Sequence, residues 1–174
     1  LIFNSNIPNW IRFANSLKLR LAMRISAVYE DAQKIAEAAV AHPYGVIESN
    51  DNNPTMQSNS NLSFTYNNPI HSISSAEGYE EDVMGATMDA YLNGFEDPRR
   101  AVFFALSSNG NYRGLRNGHK NGDIFKGDEG LSKPNIQQGT PYIWMTAAEV
   151  FFLRAEGALK QWDMKGTPEA LYKS

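Results

Sequence analysis

A capped, amphipathic helix between residues 146 and 162 is the feature that most limits what this chain can fold into. Thr146 is followed at the third position by Glu149, the spacing of a capping box, in which two side chains satisfy backbone N–H groups of the first helical turn. A helix is therefore predicted to begin at Thr146. One face of it is apolar at helical spacing, through Ala147, Val150, Phe151, Ala155, Ala158, Leu159 and Trp162. Another part of the protein must cover that face.

A second apolar stripe, near the start of the chain, predicts one long helix from Asn9 to Ala41 that ends before His42. Arg20 and Arg24 lie one turn apart beside this stripe. Arginines in such a position reach solvent or pair with carboxylates of a neighbouring element. We expect a scaffold network with Glu149 or Glu156 as partners.

The middle of the chain predicts a helix from Ser75 to Asn93, stopped by Gly94. Residues 97–100 read Asp-Pro-Arg-Arg, which is typical of a tight turn that Asp97 locks by pairing with an arginine. The following run, 101–106, is apolar, and we expect it to be buried and either strand-like or irregular.

Several segments resemble one protein family, and they occur in the family's order over nearly the whole chain. The capped helix is similar to the C-terminal part of the SusD/RagB family, the surface glycan-binding lipoproteins that partner TonB-dependent transporters. The four other matching segments are 10–26, the stretch 84–92 leading into 95–100 with its Asp-Pro-Arg turn, 112–118 and 132–136. Each motif alone is weak, but five in order make coincidence improbable.

The resemblance implies a mostly α fold, a tetratricopeptide-like helical scaffold with long irregular ligand-binding loops and little strand. Residues 1–174 would form part of a single SusD-like domain that is truncated at both ends, since the chain opens just before one helix and closes one turn into another. The implied function is a binding protein without catalytic residues or cofactor. It would capture an oligosaccharide and deliver it to a SusC-like TonB-dependent transporter. The implied location is the extracellular face of the outer membrane, through a lipid anchor outside this chain.

Two polar segments are the expected ligand-binding loops. Residues 49–75 are rich in Asn, whose amide offers both a donor and an acceptor to sugar hydroxyls, and they include aromatic rings that can stack on a pyranose. Asn-Pro strings are equally typical of ordinary turns. Residues 107–121 are rich in glycine and carry Tyr and Arg, which hold polyhydroxylated ligands or protein partners. The predicted ligand-binding residues are Tyr66, Asn68, Tyr112, Arg113, Arg116 and Asn117.

Composition excludes several other classes of function. A formal net charge of -3, with sixteen scattered Lys and Arg residues, argues against nucleic acid as a partner. No run approaches the roughly 18 apolar residues of a membrane span, and the absence of Cys excludes disulfides and thiol chemistry in this segment. The three histidines lack metal-ligand spacing, so no metal site is predicted. The acidic residues show no pairing typical of a glycosidase. The alternative function is a peptide-binding or purely protein-interaction helical module without a sugar ligand.

Overall fold

The computed structural model describes residues 2–58, 68–74, 82–118 and 130–174, and most of their regular structure is helical. Within these ranges the helices are α1 (Ile7–Ile25), α2 (Ala32–Val40), α3 (Pro69–Ser74), α4 (Ala86–Gly94), α5 (Arg100–Phe103), α6 (Ala147–Leu159) and α7 (Pro168–Lys173). The two strands, β1 (Thr55–Met56) and β2 (Tyr142–Ile143), pair antiparallel with Thr55 opposite Ile143. The prediction of a mostly α fold with little strand is confirmed. No helix in the described ranges is both long enough and apolar enough to cross a membrane.

The chain forms two compact units. The first unit comprises Leu1–Gln57 and Tyr142–Ser174, and the second comprises Ser58–Pro141. The first unit therefore contains α1, α2, α6 and α7 with the short strand pair. The second contains α3, α4 and α5.

The predicted single helix from Asn9 to Ala41 is wrong, because the first unit divides it into α1 and α2. Backbone N–H groups of Val28 and Tyr29 both donate to the carbonyl of Ile25, at 3.0 Å, and close the end of α1. The chain then folds back so that α2 packs on α1. A face of small residues makes this close packing possible, since Ala32, Ala36 and Ala39 are all fully buried. Burial of that face outweighs continuation of the helix.

Helix α6 begins where the sequence predicts, with Thr146 as its N-cap. The Thr146 side chain accepts from the backbone N–H of Glu149 at 3.2 Å. In a complete capping box the Glu149 carboxylate would in turn accept from the backbone N–H of Thr146. Here it accepts instead from Arg20 of α1, from Nε at 2.6 Å and from Nη2 at 2.7 Å. The predicted pairing of Arg20 with Glu149 is confirmed. Val150 of α6 is fully buried and belongs to the same hydrophobic core as Leu19 of α1 and Ala36 of α2.

The one arginine of α6, Arg154, is buried although its side chain is charged. Its Nε and Nη2 donate to the carbonyl of Met164, at 3.1 and 3.0 Å, and its Nη1 donates to Glu48 at 2.6 Å. The chain approaches α6 closely here, because a Cβ placed on Gly157 would lie 2.9 Å from the Met164 side chain. Arg154 thus secures the segment that leads into α7, whose N-cap is Thr167.

In the second unit, two sequence predictions are corrected. Helix α4 begins at Ala86 and not at Ser75; residues 82–84 are not helical, and residues 75–81 lie outside the described part of the chain. Helix α4 also ends with Gly94 in helical conformation, while Glu96 takes the positive φ of 50°. The early start was not possible because Met84 is fully buried and its backbone pairs with two neighbouring segments, through Ser132 and Leu115.

The run 101–106 begins inside a helix and is largely exposed, contrary to the prediction of a buried segment. Helix α5 takes up its first residues, and 67% of Val102 and 56% of Leu106 remain exposed. The backbone after α5 is extended: Phe104 forms an antiparallel bridge with Pro134, and Ala105 donates to the carbonyl of Lys133 at 2.9 Å. Hydrophobicity alone therefore did not indicate burial at this position.

Candidate ligand-binding groove

An open groove of about 440 Å³ lies in the second unit beside the glycine-rich segment that the sequence singles out. Its described lining is mixed polar and apolar, with one aromatic ring and one cation. The lining residues are Asn93, Arg100, Leu106, Gly110, Asn111 and Tyr112. The C-terminal end of α4, the start of α5 and the segment after α5 thus meet at one place.

A tight turn shapes one wall of the groove. The backbone N–H of Ser107 donates to the carbonyl of Asn111 at 2.8 Å, and its hydroxyl donates to the Asn111 side-chain oxygen at 2.7 Å. Gly110 closes the turn with φ of 74°, a left-handed conformation that favours glycine. The turn delivers Tyr112 to the groove.

Two polar residues of α4 hold the main chain around Tyr112. Asp89 and Asn93 lie one helical turn apart and so face the same way. The Asp89 carboxylate accepts from the backbone N–H of Gly114 at 2.7 Å, and the Asn93 amide donates to the carbonyl of Tyr112 at 2.9 Å. The Asn93 amide also donates to Asp89. Both ends of the segment 112–114 are therefore fixed to α4.

Gly114 is required by this close approach. A Cβ at this position would lie 2.6 Å from the carbonyl oxygen of Gly85 and 2.8 Å from Cβ of Asp89. The neighbouring residue, Leu115, forms a parallel bridge with Gly85. Only glycine lets the segment lie this close to the start of α4.

Arg100 contacts both the helix and the tyrosine. Its Nη1 donates to the side-chain oxygen of Asn93 at 2.9 Å. Its guanidinium carbon lies over the Tyr112 ring, 4.8 Å from the centroid, within the range of a cation–π interaction. One face of the ring is thus covered by Arg100.

The turn before α5 is closed by Arg99 and Asp97. Arg99 donates from its backbone N–H to Asp97 at 2.9 Å and from its Nε to both carboxylate oxygens of Asp97. The hydrogen bonds from Arg99 lower the pKa of Asp97 from 3.8 to about 2. The predicted arginine lock of this turn is confirmed, and the carbonyl of Asp97 accepts from the backbone N–H of Arg100 at 3.1 Å.

The predicted site residues occupy different environments. Tyr112 is half-buried and lines the groove, whereas Arg113, Arg116 and Asn117 are exposed on the same segment and are not among the groove's lining residues. The backbone of Arg113 is fixed, because its N–H donates to the hydroxyl of Ser132 at 3.1 Å. Ligand contact by these three exposed side chains stays a prediction.

Asn68 is buried, and its side chain forms hydrogen bonds within the second unit. Its side-chain amide donates to the carbonyl of Thr140 at 2.9 Å, and its side-chain oxygen accepts from the N–H of Ile70 at 2.9 Å. It therefore stabilises the start of α3 and does not present its amide to solvent. Tyr66, the remaining predicted residue, lies outside the described part of the chain.

Of the six described lining residues only Tyr112 was predicted from the sequence; the five that were missed are Asn93, Arg100, Leu106, Gly110 and Asn111. A signal existed for the first two: Asp89 and Asn93 share a helix face, and Arg100 directly follows the Asp-Pro-Arg turn. Among the residues that the structure describes, the lining of this groove includes no carboxylate. Nowhere in the described ranges do three His, Asp or Glu side chains come together as a metal site would need.

Comparison with known proteins gives the family. The model of the "Susd and RagB outer membrane lipoprotein" family matches residues 1–174. Among solved structures, a chitin-binding SusD homologue from Flavobacterium johnsoniae is 37% identical to this chain, with a TM-score of 0.79. The match covers 97% of this chain and 34% of the homologue. A SusD homologue from Bacteroides uniformis is 36% identical, with a TM-score of 0.80, and the match covers 99% of this chain and 36% of the homologue. One from Bacteroides thetaiotaomicron is 35% identical with a TM-score of 0.77, covering 99% and 35%.

The chain belongs to the SusD-like family of outer-membrane lipoproteins. The resemblance stated from the sequence is thereby confirmed, as is the tetratricopeptide-like helical scaffold. The chain spans about a third of the length of these solved relatives. A comparison with curated proteins found no match.

Proposed function

We propose that the protein captures oligosaccharides at the cell surface and delivers them to a SusC-like TonB-dependent transporter. The observation that carries this proposal is the groove at Tyr112, an aromatic ring held among amide and guanidinium groups. Membership of the SusD-like family supports the same function. Capture would be an equilibrium step in which no bond of the sugar is made or broken.

The groove offers the two kinds of contact that a sugar ring needs. The face of Tyr112 opposite Arg100 can pack on the apolar face of a pyranose. The exposed amide of Asn111 and the exposed side chains Arg113, Arg116 and Asn117 supply hydrogen-bonding groups around it. We propose that Tyr112 stacks on the sugar and that these neighbours bind its hydroxyl groups.

We infer binding and not hydrolysis at this groove. A glycoside hydrolase places two carboxyl groups on either side of the scissile bond. The described residues lining this groove contribute none. The nearest acid of α4, Asp89, is already held by Gly114 and Asn93.

The first ligands to test are chitin oligosaccharides, because one similar structure is a chitin-binding homologue. Calorimetric titration of the purified protein against these and against other neutral and acidic oligosaccharides would measure the affinity. Tyr112→Ala should weaken binding by about tenfold or more, since an aromatic contact contributes on the order of 1–2 kcal/mol. Tyr29→Ala is the matched control, because Tyr29 is 45% exposed in the first unit. Equal losses in the two variants, or no binding by the parent protein, would count against the proposal.

The alternative is a peptide-binding or protein-interaction module. A specific observation favours keeping it: Tyr91 of α4 and Phe95, just after the helix, are 62% and 77% exposed, and their stacked rings have centroids 6.1 Å apart. An exposed aromatic pair suits a protein partner as well as a sugar. A peptide panel in the same titration separates the two, because peptide binding that survives Tyr112→Ala would support the alternative.

We further propose that the whole protein acts at the extracellular face of the outer membrane, tethered by a lipid anchor outside this chain. Residues 1–174 would be part of a single SusD-like domain that contains both units. Co-purification with a TonB-dependent transporter from a detergent-solubilised outer membrane tests delivery. If the protein binds sugar but does not co-purify with a transporter, the proposal is limited to capture of the ligand.

A further inference from the structure

We propose that Arg100 is a positioning residue, which covers one face of the Tyr112 ring and so commits a saccharide to the opposite face. The inference rests on the proposed function of the groove. It concerns how the ring is held and not whether a sugar binds. Its physical basis is a chain of contacts from α4 through Arg100 to the ring.

The guanidinium of Arg100 is fixed at two places. Its Nη1 donates to the side-chain oxygen of Asn93 at 2.9 Å, and its central carbon lies over the Tyr112 ring, 4.8 Å from the centroid. An arginine held in this way loses the freedom that a solvated one keeps. The covered ring face is therefore closed by a group with a defined place.

The same asparagine holds the main chain of the tyrosine. The Asn93 amide donates to the carbonyl of Tyr112 at 2.9 Å, while its oxygen accepts from Arg100. The backbone of Tyr112 and one face of its ring are thus both tied to one side chain. Asp89 completes the arrangement by binding the Asn93 amide and the N–H of Gly114.

This arrangement prepares the ring before the ligand arrives. Ordering a side chain only on binding weakens the affinity by about 2- to 10-fold. A ring already held by Arg100 avoids that loss. Because one face is closed, a sugar gains stacking on a single, predetermined side.

The test compares Arg100→Met and Arg100→Lys with Arg99→Met. The matched control is Arg99, because this exposed neighbour of Arg100 pairs with Asp97 and not with the Tyr112 ring. Two readouts are recorded on protein with ¹³C-labelled tyrosine: the ring resonances of Tyr112, assigned with Tyr112→Phe, and the saccharide affinity. We expect Arg100→Met to shift the ring resonances and weaken affinity by about 2- to 10-fold. Arg100→Lys should recover part of both changes, and Arg99→Met should alter neither.

Unchanged ring resonances in Arg100→Met would overturn the inference. So would lost affinity with unchanged resonances, since Arg100 would then contact the sugar directly. Asn93→Ala provides a second route to the same ring shift if Arg100→Met does not fold. If the parent protein binds no saccharide, the proposed function fails, while the ring resonances still decide whether Arg100 holds Tyr112.

Discussion

Arg20 of α1 and Glu149 of α6 form a two-point ion pair, with Nε and Nη2 of the arginine 2.6 and 2.7 Å from the two carboxylate oxygens. The residues are 129 positions apart in the chain, so the pair joins distant helices of the first unit. Glu149 also lies in the first turn of α6, where a negative charge is favourable. One carboxylate therefore serves the helix and the packing of two helices.

We predict a coupling free energy of about 0.5–1 kcal/mol between Arg20 and Glu149, because both side chains are partly exposed and screened by solvent. A double-mutant cycle with Arg20→Ala and Glu149→Ala, followed by urea unfolding, measures it. The matched control is the pair Lys173 and Glu169, which is more exposed and should couple by less. Coupling that is absent, or that does not fall in 1 M salt, would contradict the prediction.

Gly114→Ala is expected to lower the free energy of unfolding by about 1–3 kcal/mol, because the added Cβ meets backbone atoms that cannot rotate away. Gly139→Ala is the control, since a Cβ there has nothing within 4 Å and Gly139 has no positive φ. That control should stay within about 0.5 kcal/mol of the parent protein. Chemical denaturation of both variants makes the comparison. Equal stabilities would show that the segment can move away from Gly85.

Arg154→Ala should lower the free energy of unfolding by about 2–4 kcal/mol, because it removes buried packing and leaves the Met164 carbonyl without its donors. Glu48→Gln should have a smaller effect, about 1 kcal/mol or less, since 58% of the Glu48 side chain is exposed to solvent. The control Arg24→Ala alters an exposed arginine of the same unit. Thermal and urea unfolding measure the three variants. A loss from Glu48→Gln as large as that from Arg154→Ala would contradict this ranking.

The carboxyl group of Asp97 should titrate with a pKa of about 2, because Arg99 hydrogen-bonds its charged form. A pKa lowered on folding contributes stability above the unfolded value near 4, and that contribution is lost as the pH falls from about 4 through 2. A ¹³C NMR titration of the carboxyl group gives the midpoint. Arg99→Ala should return the midpoint toward 3.8, the ordinary value for Asp, whereas Arg24→Ala should leave it unchanged. A midpoint near 3.8 in the parent protein would show that Arg99 does not stabilise the charged carboxylate of Asp97.

Local sequence determined the elements whose start is set by their own residues. Thr146 caps α6, which begins where this side chain predicts, and Thr167 caps α7 in the same way. The reason is that a cap and a helical period act over three to seven residues. The Asp97–Arg99 turn is equally local, and it formed as expected. The family resemblance adds order along the chain, which is also a property of sequence.

Tertiary structure decided where helices end and which apolar residues are buried. The periodicity from residue 9 to 41 is continuous, yet the chain turns after Ile25 because the alanine face of α2 packs on α1. Val102 and Leu106 look like core residues in the sequence and are exposed in the structure. Burial depends on which surfaces meet, and periodicity does not specify the partner surface.

For the same reason, the sequence predicted only part of the groove. Tyr112 stands out as an aromatic residue in a glycine-rich segment, but Arg100 and Asn93 become part of its site only when α4 and α5 bring them to it. Sequence thus determined the helical class, the caps, the turn before α5 and the segment that carries the ring. The fold alone decided that Arg100 covers one face of that ring, because hydrogen bonds and cation–π contacts between distant residues exist only once the chain has packed.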